Sequence, residues 1–242
     1  MSVLHEQRIT FDREAMTFDA VVFDMDGVLI DSFHVTRKAL QFAYHRVVGE
    51  GPAPIEAFRA HLGKGLAEIL DLLELPRAMV EPFIEESNRL TATIPVVDGT
   101  REVLTRLRSA GLGLGVATGK DGARARRVLG ELGLLEHFDL VVGSDEVERP
   151  KPAPDMIRKN LEHLACAPER ALLIGDAPSD IRAGKGAGVT TAAALWGDTD
   201  ERALRAERPD LCLTSMGEVL DVVLLGAVSL EHAALKPMES RA

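Results

Sequence analysis

The stretch Ala20-Val21-Val22-Phe23-Asp24-Met25-Asp26-Gly27-Val28 decides the fold. Four apolar residues in a row, with no polar alternation, read as a strand covered on both faces, as in a parallel sheet. The run ends in two carboxylates and a glycine. Residues two apart on an extended segment point the same way, so Asp24 and Asp26 are expected to share one site, and Gly27 lets the backbone turn sharply beyond them. Similar apolar runs stand at 113–117, 140–142, 171–174 and 189–194, with helical periodicity between them at 100–110, 122–132, 154–164 and 178–187. This alternation predicts an α/β fold: a doubly wound, Rossmann-like parallel sheet with right-handed crossovers. Ligands of such sheets bind beyond the carboxyl ends of the strands.

Residues 32–95 interrupt the pattern. Helical periodicity there covers 35–47, 55–62, 66–73 and 77–90, punctuated by Gly49, Pro52, Pro54, Gly63 and Gly65. An all-helical insertion directly after the first strand is read as a cap over the site, the alternative being a bundle at the sheet edge with no part in chemistry. The expected organisation is an N-terminal extension at 1–17, a core formed by 18–31 and 96–225, the helical cap at 32–95 and a tail at 226–242. In the tail, Leu230 and Leu235 are candidates to dock a last helical turn.

The chain has 242 residues, 46% of them hydrophobic, which is ample for a core, and a formal net charge of −10. That acidity argues against a nucleic-acid footprint, which requires a basic face. No apolar run reaches membrane-spanning length and the N-terminus lacks a hydrophobic signal core, so neither a membrane nor secretion is expected. Cys166 and Cys212 are too few for a disulfide framework; they are expected to be small buried residues in a reducing, cytoplasmic protein.

The remaining motifs carry oxygen chemistry. Thr118 closes the second apolar run, followed by Gly119 and a helix start, so hydroxyl and amides form a small oxyanion site. Gly115 to Lys120 superficially matches a nucleotide P-loop, but the glycine spacing is too short and Asp121 replaces the required Ser or Thr. Asp24 to Gly27 likewise fails as a calcium loop, because the glycine comes too early and Val35 stands where the bidentate glutamate belongs. Lys151, in Arg149-Pro150-Lys151-Pro152, is held on a proline-flanked loop before a helix, where an ordinary lysine is solvated. Asp176 and Asp180 flank Pro178 at the end of the fourth run, where either an acidic metal pair or a simple helix cap fits.

As an ordered set, Asp24-x-Asp26, Thr118-Gly119, Lys151 and Asp176-xxx-Asp180 resemble the haloacid dehalogenase (HAD) superfamily of phosphohydrolases over about Phe18 to Leu225. The resemblance implies a HAD core with a helical cap, and a Mg²⁺-dependent phosphatase working through an aspartyl-phosphate. Asp24 is then the nucleophile, and Asp26 protonates the leaving oxygen and afterwards activates water. Mg²⁺ is held by the Asp24 carboxylate, the Asp26 carbonyl and Asp176, supported by Asp180. Thr118, Gly119 and Lys151 hold the phosphoryl oxygens. Dehalogenases proper lack the second aspartate and phosphonate hydrolases carry a small residue there, so Asp26 implies a phosphate monoester. Sugar-phosphate mutases of the β-phosphoglucomutase type place a histidine and an arginine in the cap, where this chain has Thr36 and Leu66.

A closer resemblance rests on the runs 48–54, His61-Leu62-Gly63, Ala117-Thr118-Gly119-Lys120, 143–147 and Ala194-Leu195-Trp196-Gly197. These look like the phosphatases associated with 3-amino-5-hydroxybenzoate synthesis in ansamycin-type antibiotic clusters. That likeness implies a sugar or aminosugar phosphate such as kanosamine 6-phosphate, whereas the general relatives act on phosphoglycolate. The expected partner is therefore a small phosphate ester, met by a monomer or homodimer. Selectivity falls to the cap, where His61 and Lys64 in the turn His61-Leu62-Gly63-Lys64-Gly65 are candidates to touch the rest of the substrate, or else solvated turn residues. A non-enzymatic receiver-like signalling module uses similar residues, but its acidic pair precedes the acceptor and no second acid follows it.

Overall fold

The computed structural model describes residues 18–197 and 200–224. The expected extension at 1–17 and the tail residues Leu230 and Leu235 lie outside the described residues. Among these residues, six parallel strands form one sheet: β1 (Ala20–Phe23), β2 (Gly113–Thr118), β3 (Leu140–Gly143), β4 (Ala171–Gly175), β5 (Thr190–Ala194) and β6 (Leu211–Leu213). Their spatial order is β3-β2-β1-β4-β5-β6. β1 is central, with Ala20 in register with Gly113 of β2 on one side and Ala171 of β4 on the other. The chain winds outward one way from β1, then returns past it to wind the other way. A crevice therefore opens where the loops after β1, β2 and β4 diverge.

Among the described residues, ten α-helices accompany the strands. Between β1 and β2 run α1 (Phe33–Val47), α2 (Ile55–Arg59), α3 (Leu66–Leu72), α4 (Val80–Arg89) and α5 (Thr100–Ser109). Then come α6 (Gly122–Glu131), α7 (Asp155–His163), α8 (Pro178–Ala187), α9 (Glu201–Ala206) and α10 (Glu218–Leu224). The strands are apolar on both faces because both faces are covered. Val21, Phe23, Leu114 and Val116 pack with Val103 and Leu107 of α5, Val128 of α6 and Val219 of α10. Ala20, Val22 and Ala117 turn the other way, onto Met156, Ile157 and Leu161 of α7 and Ala183 of α8. This is the two-residue alternation of a strand with hydrophobic residues at both phases.

The first four helices share a separate apolar cluster. Ala39, Leu40 and Ala43 of α1 meet Phe58 of α2, Ile69 and Leu70 of α3 and Phe83 of α4. Phe58 and Phe83 stack with ring centroids 6.0 Å apart. The helix expected over 77–90 opens as a 3₁₀ turn, Arg77–Met79, before α4. Pro82 lies in the first turn of α4, where its missing N–H costs no intrahelical bond. The helix expected over 55–62 stops at Arg59, and the chain turns through Gly63 at φ +91°.

Three elements have no counterpart in the sequence reading. β6 is an edge strand of three residues, too short to register as a run, and α9 and α10 are similarly brief. The cysteines also differ from expectation: Cys166 and Cys212 are free and half-buried rather than buried. Cys212 is the middle residue of β6 and faces away from the core side that buries Leu211 and Leu213. No helix among the described residues is long and apolar enough to cross a membrane.

Leu114 is fully buried in the sheet, whereas Leu72 on α3 is 51% exposed. Leu114→Ala is expected to lower unfolding stability by about 2–5 kcal/mol, through lost burial plus a cavity. Leu72→Ala is expected to change it by less than about 0.5 kcal/mol. Urea denaturation of both variants checks the pair, and equal losses would contradict this layering of the core.

Candidate active site

Three strand ends build the site. At the end of β1 the Asp24 amide donates to the Ile174 carbonyl at 2.8 Å, carrying the pairing with β4 one residue beyond the strand. The chain then turns back on itself: the Gly27 amide donates to Ile30 O at 2.8 Å and the Leu29 amide to Met25 O at 2.9 Å. Gly27 has φ +79°, and a Cβ there would fall 1.9 Å from Asp176 Oδ2. No other residue lets Asp176 lean against this turn. The Trp196 indole N–H donates to Val28 O at 3.1 Å and ties the turn to the segment after β5.

Asp24 is 3% exposed and Lys151 2%. Lys151, reached by a cis peptide to Pro152, spends its ammonium on three acceptors. It donates to Asp24 Oδ1 at 2.8 Å and Ala117 O at 2.9 Å, and lies 2.6 Å from Asp180 Oδ1. Burial works against the lysine's charge, but Asp180 and Asp24 outweigh it and raise its pKa. Asp180, at the start of α8, also accepts the Ala177 amide at 3.0 Å through Oδ2. Thr118, 1% exposed, ends β2, and its hydroxyl accepts the Lys120 amide at 3.3 Å.

Asp26 points to a different set of partners. Its Oδ1 accepts the Ser32 hydroxyl and its Oδ2 pairs with the Lys120 ammonium. Burial pushes the Asp26 carboxyl up, but the Lys120 charge and hydrogen bond, with the Ser32 bond, hold it below the usual carboxylate range. Neither Ser32 nor Lys120 was singled out from the sequence, although Lys120 stands two residues past Thr118 at the same strand end. Arg124, in the first turns of α6, is a third such residue; it stacks over Phe83 of α4 with the guanidinium carbon 5.4 Å from the ring centroid.

A cavity of about 860 Å³ joins these groups. Asp24, Asp26, Thr118, Gly119, Asp176 and Lys64 all line it. Lys151 and Asp180 do not; they lie buried behind Asp24 and reach the cavity through it. His61 is not among the lining residues, and Lys64, which is, pairs with Glu68 one turn along. The turn carrying Lys64 is nevertheless pressed onto the core: a Cβ on Gly119 would stand 2.4 Å from Gly63 O and 2.9 Å from Lys64 O.

Carboxylate oxygens of Asp24, Asp176 and Asp180 lie within 4.8 Å of one another. Burial pushes Asp24 up to about 7, with Asp180 and Asp26 adding to it and Lys151 opposing. Burial likewise drives Asp176 well above the usual range, helped by Asp24 and Asp180. One ammonium leaves this cluster with surplus negative charge, and its donors are all hard oxygens. That donor set fits a divalent cation such as Mg²⁺. Asp24 and Asp176 are the carboxylates that face the cavity; both Asp180 oxygens are already engaged by Lys151 and the Ala177 amide.

The raised Asp24 pKa has a measurable sign. In metal-free buffer the folded protein keeps a proton at Asp24 that the unfolded chain releases at its ordinary 3.8. This group's contribution therefore favours folding at acid pH and is lost as pH rises from about 4 toward 7. Asp24→Asn does not titrate. With chelator present, its melting temperature relative to the native chain is expected to climb over that interval and level off above it. A difference that stays constant from about pH 4.5 to 7.5 would remove the buried-proton account.

Comparison with known proteins accords with this geometry. The family model described as haloacid dehalogenase-like hydrolase matches residues 21–194. The phosphoglycolate phosphatase of Aquifex aeolicus is 31% identical over 210 residues, covering 84% of this chain and 95% of that protein. The pyrophosphatase PpaX of Bacillus velezensis is 31% identical over 214 residues, covering 84% and 95%. Among solved structures, CbbY from Rhodobacter sphaeroides in complex with phosphate superposes with a TM-score of 0.73 at 25% identity, covering 84% of this chain and 96% of that one. A buried acidic strand end, a lysine locked behind it and a matched family model over most of the sheet lead to one conclusion: the chain belongs to the haloacid dehalogenase-like hydrolases, among relatives that are phosphatases.

Proposed function

We propose that the protein is a Mg²⁺-dependent phosphatase that hydrolyses a small phosphate monoester through a phosphorylated Asp24. The observation that carries this reading is the state of Asp24: buried, fixed through Oδ1 by Lys151, and open to the cavity beside Asp26. A nucleophile needs one free oxygen and a fixed orientation, and this arrangement supplies both. Asp24 attacks phosphorus, the P–O bond to the leaving group breaks, and Asp26 relays a proton to that oxygen. Since Lys120 and Ser32 keep its carboxyl ionised in the free protein, this role requires Asp26 to exchange its Lys120 pairing for a proton when substrate is bound. Asp26 then takes a proton from water, which attacks the aspartyl-phosphate and releases inorganic phosphate. Lys120 and Ser32 hold the Asp26 carboxyl toward the reaction. The Thr118 hydroxyl and the Gly119 amide are placed to receive phosphoryl oxygens, and Lys151 joins them by exchanging one of its present bonds. Mg²⁺, held by Asp24, the Asp26 carbonyl and Asp176 with Asp180 in support, would offset the charge of the phosphoryl dianion.

Residues 32–95 serve in this reading as the cap. Their own apolar cluster and the contact of Gly63 with Gly119 support a body that closes over the cavity. The candidate substrates divide by leaving group. Sugar and aminosugar phosphates, kanosamine 6-phosphate among them, follow from the likeness to ansamycin-pathway phosphatases. Phosphoglycolate and pyrophosphate follow from the names of the relatives. Thr36 and Leu66 both line the cavity and offer neither imidazole nor guanidinium, which favours hydrolysis over a phosphomutase.

Release of phosphate from this panel, with and without chelator, tests the proposal. Activity is expected to vanish on chelation and in Asp24→Asn. Asp26→Asn is expected to retain Asp24 attack but lose about 10²–10⁴-fold in turnover on esters with poor leaving groups. Full activity after exhaustive chelation, or ordinary turnover by Asp24→Asn, would falsify the mechanism. Lys64→Ala is expected to reorder the substrates while sparing p-nitrophenyl phosphate; a uniform loss would leave the turn only a closing role.

A further inference from the structure

Four cationic side chains line the cavity: Arg59, Lys64, Lys120 and Arg124. Three have a carboxylate at ion-pair distance. Arg59 stands 3.9 Å from Glu56, Lys64 pairs with Glu68, and Lys120 pairs with Asp26. Arg124 has no such partner among the described residues. It is only 9% exposed, and its Nε finds no hydrogen-bond acceptor. Asp121 accepts the Arg124 backbone amide at 2.9 Å as the cap of α6, and the Asp121 and Asp26 carboxylates act on the guanidinium only from beyond ion-pair reach.

A buried guanidinium without a counter-charge is a costly arrangement for the protein alone. It becomes favourable once an anion arrives. Asp26, the catalytic-side carboxylate acting on the guanidinium, is already paired with Lys120 and does not answer the Arg124 charge at ion-pair distance. Phe83 fixes the guanidinium plane from the helical insertion, so the residue stands at the seam where the bound molecule would be enclosed. A planar guanidinium held in this way offers paired N–H donors whose spacing matches two oxygens of a carboxylate or phosphoryl group.

We propose that Arg124 receives an oxyanion, a carboxylate or a second phosphoryl group, carried by the leaving group of the substrate. The assignment rests on the phosphoryl-transfer reading above and sharpens it. Within the substrate classes already set out, it favours esters with an anionic leaving group over neutral or aminated sugar phosphates, which would leave the Arg124 charge unanswered.

The test uses pairs of esters that differ chiefly in the distal anion: phosphoglycolate against 2-hydroxyethyl phosphate for a carboxylate, and pyrophosphate against methyl phosphate for a phosphoryl group. The native enzyme is expected to prefer the anionic member of at least one pair in kcat/KM, and the favoured pair identifies the oxyanion. In Arg124→Gln that preference is expected to fall about 10- to 100-fold, mainly through KM, the usual range for a lost hydrogen bond to a charged group. Arg124→Met, which keeps an apolar stem against Phe83, provides the same measurement if the glutamine variant does not fold. No preference in the native enzyme, or a preference unchanged in a folded variant, overturns the assignment. Equal losses on both members of a pair do so too, since Arg124 would then serve the transferred phosphoryl group itself. Calorimetric binding of each pair to Asp24→Asn, with and without the Arg124 change, separates the two claims. Anion-selective binding that needs Arg124, with no hydrolysis of any ester by the native chain, would sink the phosphatase reading and with it the leaving-group assignment, while retaining Arg124 as an anion-binding residue. Hydrolysis with no anion-selective binding would sink the assignment alone.

Discussion

The rest of the structure depends on an ammonium group held out of water. Lys151 comes from the loop after β3, Asp24 from the end of β1 and Asp180 from the start of α8 behind β4. Removing either carboxylate would weaken the cover on a buried charge, and removing the lysine would leave two carboxylates facing each other in a dry site, so each partner enforces the position of the others. The sheet topology makes this meeting possible, because only at the switch between β1 and β4 do loops from both winding directions open onto one crevice. The same ion group leaves one Asp24 oxygen free and an excess of negative charge beside it. The free oxygen and the surplus charge are in this sense two consequences of one packing arrangement.

Above that fixed floor lies a body with separate allegiance. α1 to α4 bury Phe58 against Phe83 and Leu40 against their own neighbours, not against the sheet. Their contact with the floor is made partly by backbone, Gly63 and Lys64 lying on Gly119, and partly by side chains, Phe83 meeting Arg124 and Val35 joining the apolar cluster of the sheet.

Much of this was legible in the chain. Doubly apolar runs locate five of the six strands, and the rule that ligands sit at carboxyl ends gathers Asp24, Thr118 and Asp176 before any coordinates are known. What stayed hidden depends on distance through space. Lys151 alone reads as a solvated loop lysine; the ordered set of motifs assigns it to the site, and only the folded core shows it enclosed. Ser32 and Lys120 grip Asp26 from two different segments, a relation no local spacing encodes. Arg124 belongs to Arg124-Ala125-Arg126-Arg127, which looks like a charged helix face; α6 happens to turn its first arginine inward while Arg126 reaches Glu146 on the outside. β6 was missed for a simpler reason, since three residues carry no period.

The bond from Trp196 to Val28 has a practical side. The chain contains a single tryptophan. Its indole is fastened to the turn that carries Asp26 and Gly27, and a Cβ on the next residue, Gly197, would fall 2.9 Å from the Gly27 carbonyl oxygen. Indole emission responds to the loss or tightening of such a bond. The protein therefore carries its own optical gauge beside the Asp24–Asp26 turn, free of other tryptophans and in need of no label.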